Sequence, residues 1–538
     1  MNYLSPADWS IIVLYLLGIC ALGVWFGKDQ RTTRDYFLGS KSIPWWGIGL
    51  SIVAAETSAL TIIGVPGLAW GGDITFLQMV LGYVIARILL AIILVPHYFK
   101  GEIYSPYQLF ANAFGPAARQ TAGGFFLISE TLAAGVRVYV ACIPIQLMLG
   151  IQVLPAIVLF VGLSLFYTYI GGVKAVIWTD AAQFGLFLAG GLFTLGYIPT
   201  QVDGGFAGVF AEAAQARKLV WWNGNLSLAP PFNIWMGLLG GTFVTLSSHG
   251  AEQLIVQRVL ACKSTGDGRK ALALSAVVIF PLFLIFLLCG VMLWVYYQHF
   301  PMAIAIPETK PGAGIKAYDF IFPIFMLTAV PHWLKGFLIV AILSAAMSSV
   351  SSALTSLASV STMDFVKPLA GHERGEDFFL RFSKYSTVIW GAALIAVAYL
   401  SREVAFVLNA AFSLRGLTSG ALLGGLALAL FWKKGRALPV VVGMLVSLMF
   451  MTLLQFFPKT PWYEPWLGWV LPAFKNFPAS KGKELLVQVA RLDIFWPWYT
   501  LLGTAITLGT AWLTNQLGAR GLRPGAEAAV LHKSGQQQ

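Results

Sequence analysis

About thirteen apolar stretches, each long enough to cross a bilayer as a helix, constrain this chain more than any other feature. A helical span needs roughly 20 residues. The stretches cover approximately 8–27, 45–71, 74–99, 120–149, 152–170, 175–199, 233–259, 269–297, 331–362, 382–400, 403–432, 437–457 and 494–516. Hydrophobic residues make up 58% of the chain and charged residues only 11%, which excludes a soluble domain of this size. The expected fold class is therefore an all-α membrane protein. The stretch that starts near Trp9 has no basic segment before it and no small-residue cleavage site after it. We read it as a first span, not a removed signal peptide.

Charge reports topology here. With the N-terminus outside, the inner loops carry about 21 Lys and Arg against about 11 in the outer ones. Lys28, Arg31, Arg34 and Lys41 fall in the first inner loop, Arg258, Lys263, Arg269 and Lys270 in a middle one, and Lys433, Lys434 and Arg436 in a late one. Arg520, Arg523 and Lys533 then agree with a cytoplasmic C-terminus. The expectation is a multi-pass protein of the plasma (inner) membrane, a monomer whose partners are the lipid bilayer and a small-molecule substrate. The net charge of +12 does not point to nucleic acid, because no basic tract is interleaved with aromatics. Residues 1–517 read as one transmembrane domain and 518–538 as a disordered tail. The outer loops at about 200–232, 299–330 and 458–493 are rich in Trp and Pro, and short interfacial helices are expected there. Cys20, Cys142, Cys262 and Cys289 have no CxxC spacing and read as small buried hydrophobes.

Polar residues interrupt particular spans. The ninth reads AILSAAMSSVSSALTSLASVSTMD from Ala341, and Ser344, Ser348, Ser351, Ser352 and Thr355 share one helical stripe. Neutral oxygens in a low-dielectric span suit a hard monovalent cation. The alternative is that small residues serve close packing and their hydroxyls bond back to the helix. The second span carries Glu56, Thr57 and Ser58 in its middle, with Gly64, Pro66 and Gly67 beyond. The seventh carries Ser247, Ser248, His249, Gly250 and Glu252 at the same depth. Interrupted helices at corresponding places in two halves point to a transporter built from inverted repeats; the alternative is two glycine- and serine-rich packing faces.

Ionisable residues inside spans are functional candidates, because burying a charge in lipid is costly. They are Glu56, Arg87, Glu130, Arg137, Asp180, Glu252 and Arg415. Asp180 needs a partner, a proton or a cation. Arg137 has the geometry to grip a substrate carboxylate bidentately, or to pair with Glu130 or Glu56. Arg415 is a second anion contact or half of a gate pair.

These pieces together resemble the sodium:solute symporter family. The resemblance is carried by AAETSALTIIGVPG from Ala54, GGVKAVIWTDAAQ from Gly171, HGAEQLIVQRVLACKS from His249 and SAAMSSVSSALTSLASVSTMD from Ser344. It implies a five-plus-five inverted repeat of the LeuT type, with one repeat at about 45–199 and the other at about 233–432. It implies Na+ as the co-transported ion. The family's main sodium site falls on the Ala54 and Thr57 carbonyls, the Ala345 carbonyl, and the Ser348 and Ser349 hydroxyls. A second sodium site found in some members falls on Asp180, Ser348, Ser351 and Ser352. Glu56 stands where proline carriers have aspartate and sugar carriers asparagine.

The resemblance implies a sodium-coupled symporter that imports a small solute. Arg137 tilts the reading toward an organic anion such as a carboxylate or sialic acid. The expected substrate contacts are Glu56, Ser58, Thr61, Phe76, Arg137, Phe243, Ser247, His249 and Glu252, with the cavity bounded by Thr57–Thr61, Phe76–Val80, Arg137 and Ser247–Glu252. A sugar symporter is the alternative, weakened because two of the positions at which sugar carriers hold their sugar are Thr61 and Val80. Three rival classes remain. A sensory module would need a kinase, and the stretch after Leu517 is short for one. A membrane-embedded hydrolase would use Ser248 or Ser348 with His249, but no G-x-S-x-G or HExxH motif supports an enzyme. A sodium channel would line its pore with the same hydroxyls.

Overall fold

The computed structural model describes residues 4–26, 30–308, 318–370, 374–403, 407–432, 435–456 and 494–520. Every regular element among them is helical. Nine helices are long and apolar enough to cross a membrane, or ten when the bent pair Trp45–Glu56 and Thr61–Gly71 counts as one span. That criterion stops short of the thirteen spans read from the sequence. The outer loop expected at 458–493 lies wholly outside the described residues, as does the tail beyond Arg520. The last helix, Tyr499–Arg520, runs past Gly518, where the tail was expected to begin. The outer loops that are described hold the short helices Gly205–Gln215 and Ile321–Thr328.

Part of the shortfall comes from one unbroken helical run, Val153–Tyr197, of 45 residues. A straight helix of that length would be about 68 Å, over twice the hydrocarbon thickness. It folds back at Gly172, where φ 54 and ψ −160 are open to glycine alone. A Cβ there would also sit 2.7 Å from the Tyr36 carbonyl oxygen. The reversal shows in the contacts of its two limbs. Tyr167 donates to the Met347 carbonyl at 3.1 Å, and Asp180 accepts from Ser348 Oγ at 2.6 Å. Two residues thirteen positions apart on a straight helix would be about 20 Å apart, yet these two reach neighbouring residues of one helix.

Two spans break in the middle. The helix Trp45–Glu56 stops at Thr57, whose backbone is extended at φ −81, ψ 93, and the chain resumes as Ala59–Gly71 with a 53° bend. The helix Thr242–Gly250 stops before an extended Glu252 at φ −106, ψ 133, and resumes as Gln253–Leu260. The local cause is the sequence at each break. Hydroxyl, glycine and carboxylate residues cluster there, and the side chains of Glu56, Ser247 and Glu252 bond to other helices.

Close packing follows from small residues at the seams. A Cβ on Gly82 of the helix Leu77–Leu89 would lie 2.1 Å from the Gly237 carbonyl oxygen, so the third and seventh spans meet backbone to backbone. The helix His332–Val360, extended by a wider turn over Ser361–Val366, sits at the centre. Its apolar window is 94% buried, against 17% for the peripheral first helix Pro6–Phe26. Trp9, Val13, Leu14, Leu17 and Trp25 of that first helix are exposed, as on a lipid-facing surface.

Candidate functional site

A cavity of about 760 Å3, counting its open mouth, lies between the two broken spans. The second span supplies Ala55, Glu56, Ser58, Thr61 and Val65; the third, Tyr83; the fourth, Arg137. Val244, Thr245, Ser248, His249, Leu254 and Ile255 come from both sides of the seventh-span break, and Phe283, Ala411, Phe412 and Arg415 complete it. Apolar walls with a few convergent polar groups are the usual make-up of a small-molecule site.

The cavity's charges are arranged in pairs. Arg87, fully buried behind Glu56, donates Nη2 to Glu56 Oε2 and Nη1 to the Tyr83 carbonyl at 3.0 Å. Its Nη2 also faces His249 Nε2 at 3.1 Å. A guanidinium offers only hydrogens, so Nε2 presents its lone pair and Nδ1 carries the proton. His249 Nδ1 then donates to Ser248 Oγ, 2.8 Å away. Arg415 donates Nε to Glu252 Oε2 at 2.6 Å, and Nη2 bonds to the same oxygen. Arg137 donates Nη1 to Glu130 Oε1 at 3.2 Å. Three arginines thus face three carboxylates, and Arg87, unplaced by the sequence, is the partner of Glu56.

A second polar cluster lies against the central helix. Asp180 Oδ1 accepts from Ser348 Oγ at 2.6 Å, while Oδ2 accepts from Ser51 Oγ at 2.6 Å and from Arg258 Nη2 at 2.7 Å. Arg258 Nε donates to Ser51 at 2.8 Å, Nη1 to the Leu254 carbonyl at 2.6 Å, and Nη2 also to Ser352 Oγ. The sequence reading put Arg258 in an inner loop; instead it is 2% exposed on the helix Gln253–Leu260. It is the partner that a buried Asp180 requires, because a charge taken out of water has to be paired. Moving it out of the loop count leaves the positive bias at about 20 to 11.

Most hydroxyls of the central helix bond back to their own turn. Ser349 Oγ reaches the Ala345 carbonyl at 3.1 Å, while Ser351 and Ser352 reach the Ser348 carbonyl at 3.0 and 2.6 Å. Each keeps a lone pair on its oxygen. Asp180 ties Ser348 to Ser51, one turn before Ala54, so the central helix is fastened to the second span just short of its break. At the break itself, Thr57 Oγ1 is buried with no hydrogen-bond partner among the described residues.

The residues expected to contact substrate divide into two groups. Glu56, Ser58, Thr61, Arg137 and His249 line the cavity. Phe76 does not: it is buried against Phe232 and Phe283, with ring centres 5.0 and 5.7 Å away, and only Phe283 reaches the cavity. The third span turns Tyr83 inward, two turns beyond Phe76, and Val80 is buried outside the lining. Phe243 is half-buried and Val244 takes the lining place beside it. Ser247 bonds to the Ser419 carbonyl at 2.8 Å, and Glu252 lines a smaller adjoining hollow of about 250 Å3 with Arg415, Phe412 and Trp496.

Comparison with known proteins follows the same lines. The family profile described as "SSF: Sodium:solute symporter family" matches residues 36–447. The sodium/sialic acid symporter SiaT of Proteus mirabilis is 30% identical over 457 residues, covering 82% of this chain and 88% of the relative. The human sodium-coupled monocarboxylate transporter 1 is 26% identical over 446 residues, covering 82% of this chain and 72% of the relative. A solved Na+-coupled sialic acid symporter, in a substrate-bound outward-open state described as revealing a novel Na+ site, superposes with a TM-score of 0.79 at 25% identity, covering 95% of this chain and 98% of the other. The broken spans, the paired charges and the family match lead to one conclusion: this chain belongs to the sodium:solute symporter family.

Proposed function

We propose that this chain is a sodium-coupled symporter that carries a small organic anion inward, with Arg137 receiving the substrate's carboxylate. One observation carries this reading. Arg137 lines the cavity, and Nη1, its link to Glu130, is its only hydrogen-bonded nitrogen among the described residues. The rest of the guanidinium edge is available to a planar carboxylate, for which two parallel bonds are the favoured geometry. Two similar proteins are named for sialic acid and monocarboxylates, both carboxylates.

Sodium binds between the second-span break and the central helix, at the Ala54, Thr57 and Ala345 carbonyls and the Ser348 and Ser349 hydroxyls. The orphaned Thr57 hydroxyl beside the extended backbone supports this placement. A second ion at Asp180, Ser348, Ser351 and Ser352 would share the carboxylate with Arg258. The ion enters from outside, holds the two elements together in the outward-open arrangement and preorganises the broken helix for substrate. The loaded bundle then rocks to open inward. In this reading the N-terminus lies outside the plasma membrane and the C-terminus in the cytoplasm, the protein works as a monomer, and residues 45–199 and 233–432 are its two repeats within one domain. The hydrolase alternative is disfavoured, because His249 donates its Nδ1 proton to Ser248 and cannot take one from it.

The test is uptake into proteoliposomes. An inward sodium gradient should drive accumulation of a labelled carboxylate from a panel that also contains neutral sugars and iodide. Two sodium ions with one monoanion move a net positive charge, which releases roughly 2.3 kcal/mol per 100 mV of inside-negative potential. Uptake should then rise when the potential is made more negative. Sodium-driven uptake of a neutral sugar with no carboxylate transported would overturn the reading.

A further inference from the structure

Two charged groups on the cavity wall are unspent. Glu56 gives its Oε2 to Arg87, while its Oε1 makes no hydrogen bond among the described residues. The side chain keeps 19% of its surface and lines the cavity. Arg137, on the fourth span, is tied by one nitrogen only. Arg415 is different, since two of its nitrogens are already held by Glu252. The cavity therefore offers a substrate one open carboxylate oxygen and one open guanidinium edge, on different helices.

A plain monocarboxylate satisfies only one of these. Its tail would meet Glu56 Oε1 with no hydrogen to give, leaving an anionic oxygen dehydrated and unmatched, and a site built to bond a donor discriminates strongly against an analogue that lacks one. We propose that the substrate is a carboxylate that also bears an O–H or N–H donor, with Glu56 Oε1 reading the donor while Arg137 holds the carboxylate. This rests on the Arg137 reading above and narrows it: hydroxy acids, sugar acids and amino acids fit, and unsubstituted fatty acids and inorganic anions do not. Charge supports a donor of either kind. Glu56 is already compensated by Arg87, so a neutral hydroxyl suffices and an ammonium is admitted.

The experiment uses the intact, detergent-solubilised protein in sodium buffer. Apparent dissociation constants are read from the rise of the melting midpoint with concentration of matched pairs: propionate against lactate and alanine, and hexanoate against gluconate. At least one donor-bearing member should bind about 10- to 100-fold tighter than its plain partner. Equal binding within every pair overturns the assignment of Glu56 and leaves Arg137 standing. Binding by no carboxylate overturns the Arg137 reading and this proposal with it. Lactate and alanine separate hydroxyl from ammonium recognition. Glu56→Gln supplies a second reading in protein that remains folded by its melting curve. Loss of the pairwise preference at an unchanged sodium requirement is expected. A raised sodium requirement with the preference intact would make Glu56 an ion ligand instead and overturn the proposal. Should Glu56→Gln fail to fold, Glu56→Asp, which keeps the charge but withdraws the oxygen, is read the same way.

Discussion

Arg258 and Asp180 form a buried ion pair at 2.7 Å, with side-chain exposures of 2% and 0%. Ser51 and Ser352 are bonded to the same guanidinium, so the pair joins the second, sixth, seventh and ninth spans at one point. Breaking a buried pair from one side costs about 3–5 kcal/mol, because the other charge is left uncompensated. Asp180→Asn should therefore lower the melting midpoint markedly. The double variant Asp180→Asn, Arg258→Met should recover much of the loss. A double variant no more stable than Asp180→Asn alone would show that the pair is not the source of the cost.

That coupling makes Asp180→Asn a poor probe of a second sodium ion by itself. Ser351→Ala is cleaner, since Ser351 Oγ donates to the Ser348 carbonyl and its other side-chain hydrogen-bond partner is Tyr167, with no bond to Asp180 or Arg258 among the described residues. With two ions bound, Ser351→Ala should reduce the steepness of the sodium dependence of uptake while lowering the stability of the sodium-free protein by no more than the worth of one hydrogen bond, about 0.5–1.5 kcal/mol. An unchanged steepness would remove Ser351 from the ion site.

The main site is tested best at Ser349. Ser348 also holds Asp180, whereas among the described residues Ser349 Oγ bonds only to the Ala345 carbonyl. A hydrogen bond or ligand to a charged group contributes about 1.5–3 kcal/mol, so losing this hydroxyl should raise the sodium concentration for half-maximal uptake ~10- to 150-fold. Sodium dependence identical to the parent protein would exclude Ser349 from the site.

The broken spans were legible because their cause is local: SSHGAE and AETS place hydroxyls, a glycine and a carboxylate where an uninterrupted span needs aliphatic residues. The hairpin at Gly172 was legible for a similar reason, since no single span can hold that much apolar chain. What stayed hidden was pairing between distant segments. Glu56 and Arg87 are 31 positions apart, and Asp180 and Arg258 are 78 apart. Arg258 was drawn into a loop by its neighbours Lys263, Arg269 and Lys270, although the apolar LIVQRVL around it was the signal that it is buried. Phe76 and Tyr83 share a face two turns apart and both pack against Phe283, so which of them reaches the cavity is a matter of depth along the span, which the sequence pattern does not carry.

Arg137 has a prediction of its own. Arg137→Lys keeps a positive charge but loses the planar fork, so it should raise the KM for a carboxylate substrate while preserving part of the maximal rate. Arg137→Ala should abolish carboxylate uptake. Glu130→Gln separates recognition from architecture: it should lower stability by removing the charge that Arg137 faces, yet leave the substrate preference in place. An Arg137→Ala protein that transports carboxylate with the parent's KM would place the anion contact elsewhere.

The C-terminal end of the central helix carries an ion pair of its own. Asp364, in the widened turn Ser361–Val366, accepts from Arg119 Nε at 2.7 Å and from Ser105 Oγ at 2.8 Å, both on its Oδ1. Arg119 Nη2 also bonds to the Met363 carbonyl at 2.6 Å. Asp364 Oδ2 is buried with no partner among the described residues, so this carboxylate is held from one side only. The bonds join the start of the fourth span and the segment before it to the end of the ninth, the helix on which the proposed sodium hydroxyls lie. If they close the inner side, weakening them should favour the inward-open state. Asp364→Asn keeps the shape and an acceptor for Ser105 but gives up the charge. A change of about 1–2 kcal/mol in the balance between the two states alters their ratio roughly 5- to 30-fold. The expected result is faster amide exchange over residues 361–366 and a higher external sodium requirement at an unchanged number of binding sites. Exchange and sodium requirement both equal to the parent's would show that Arg119 and Asp364 hold the fold together without gating it.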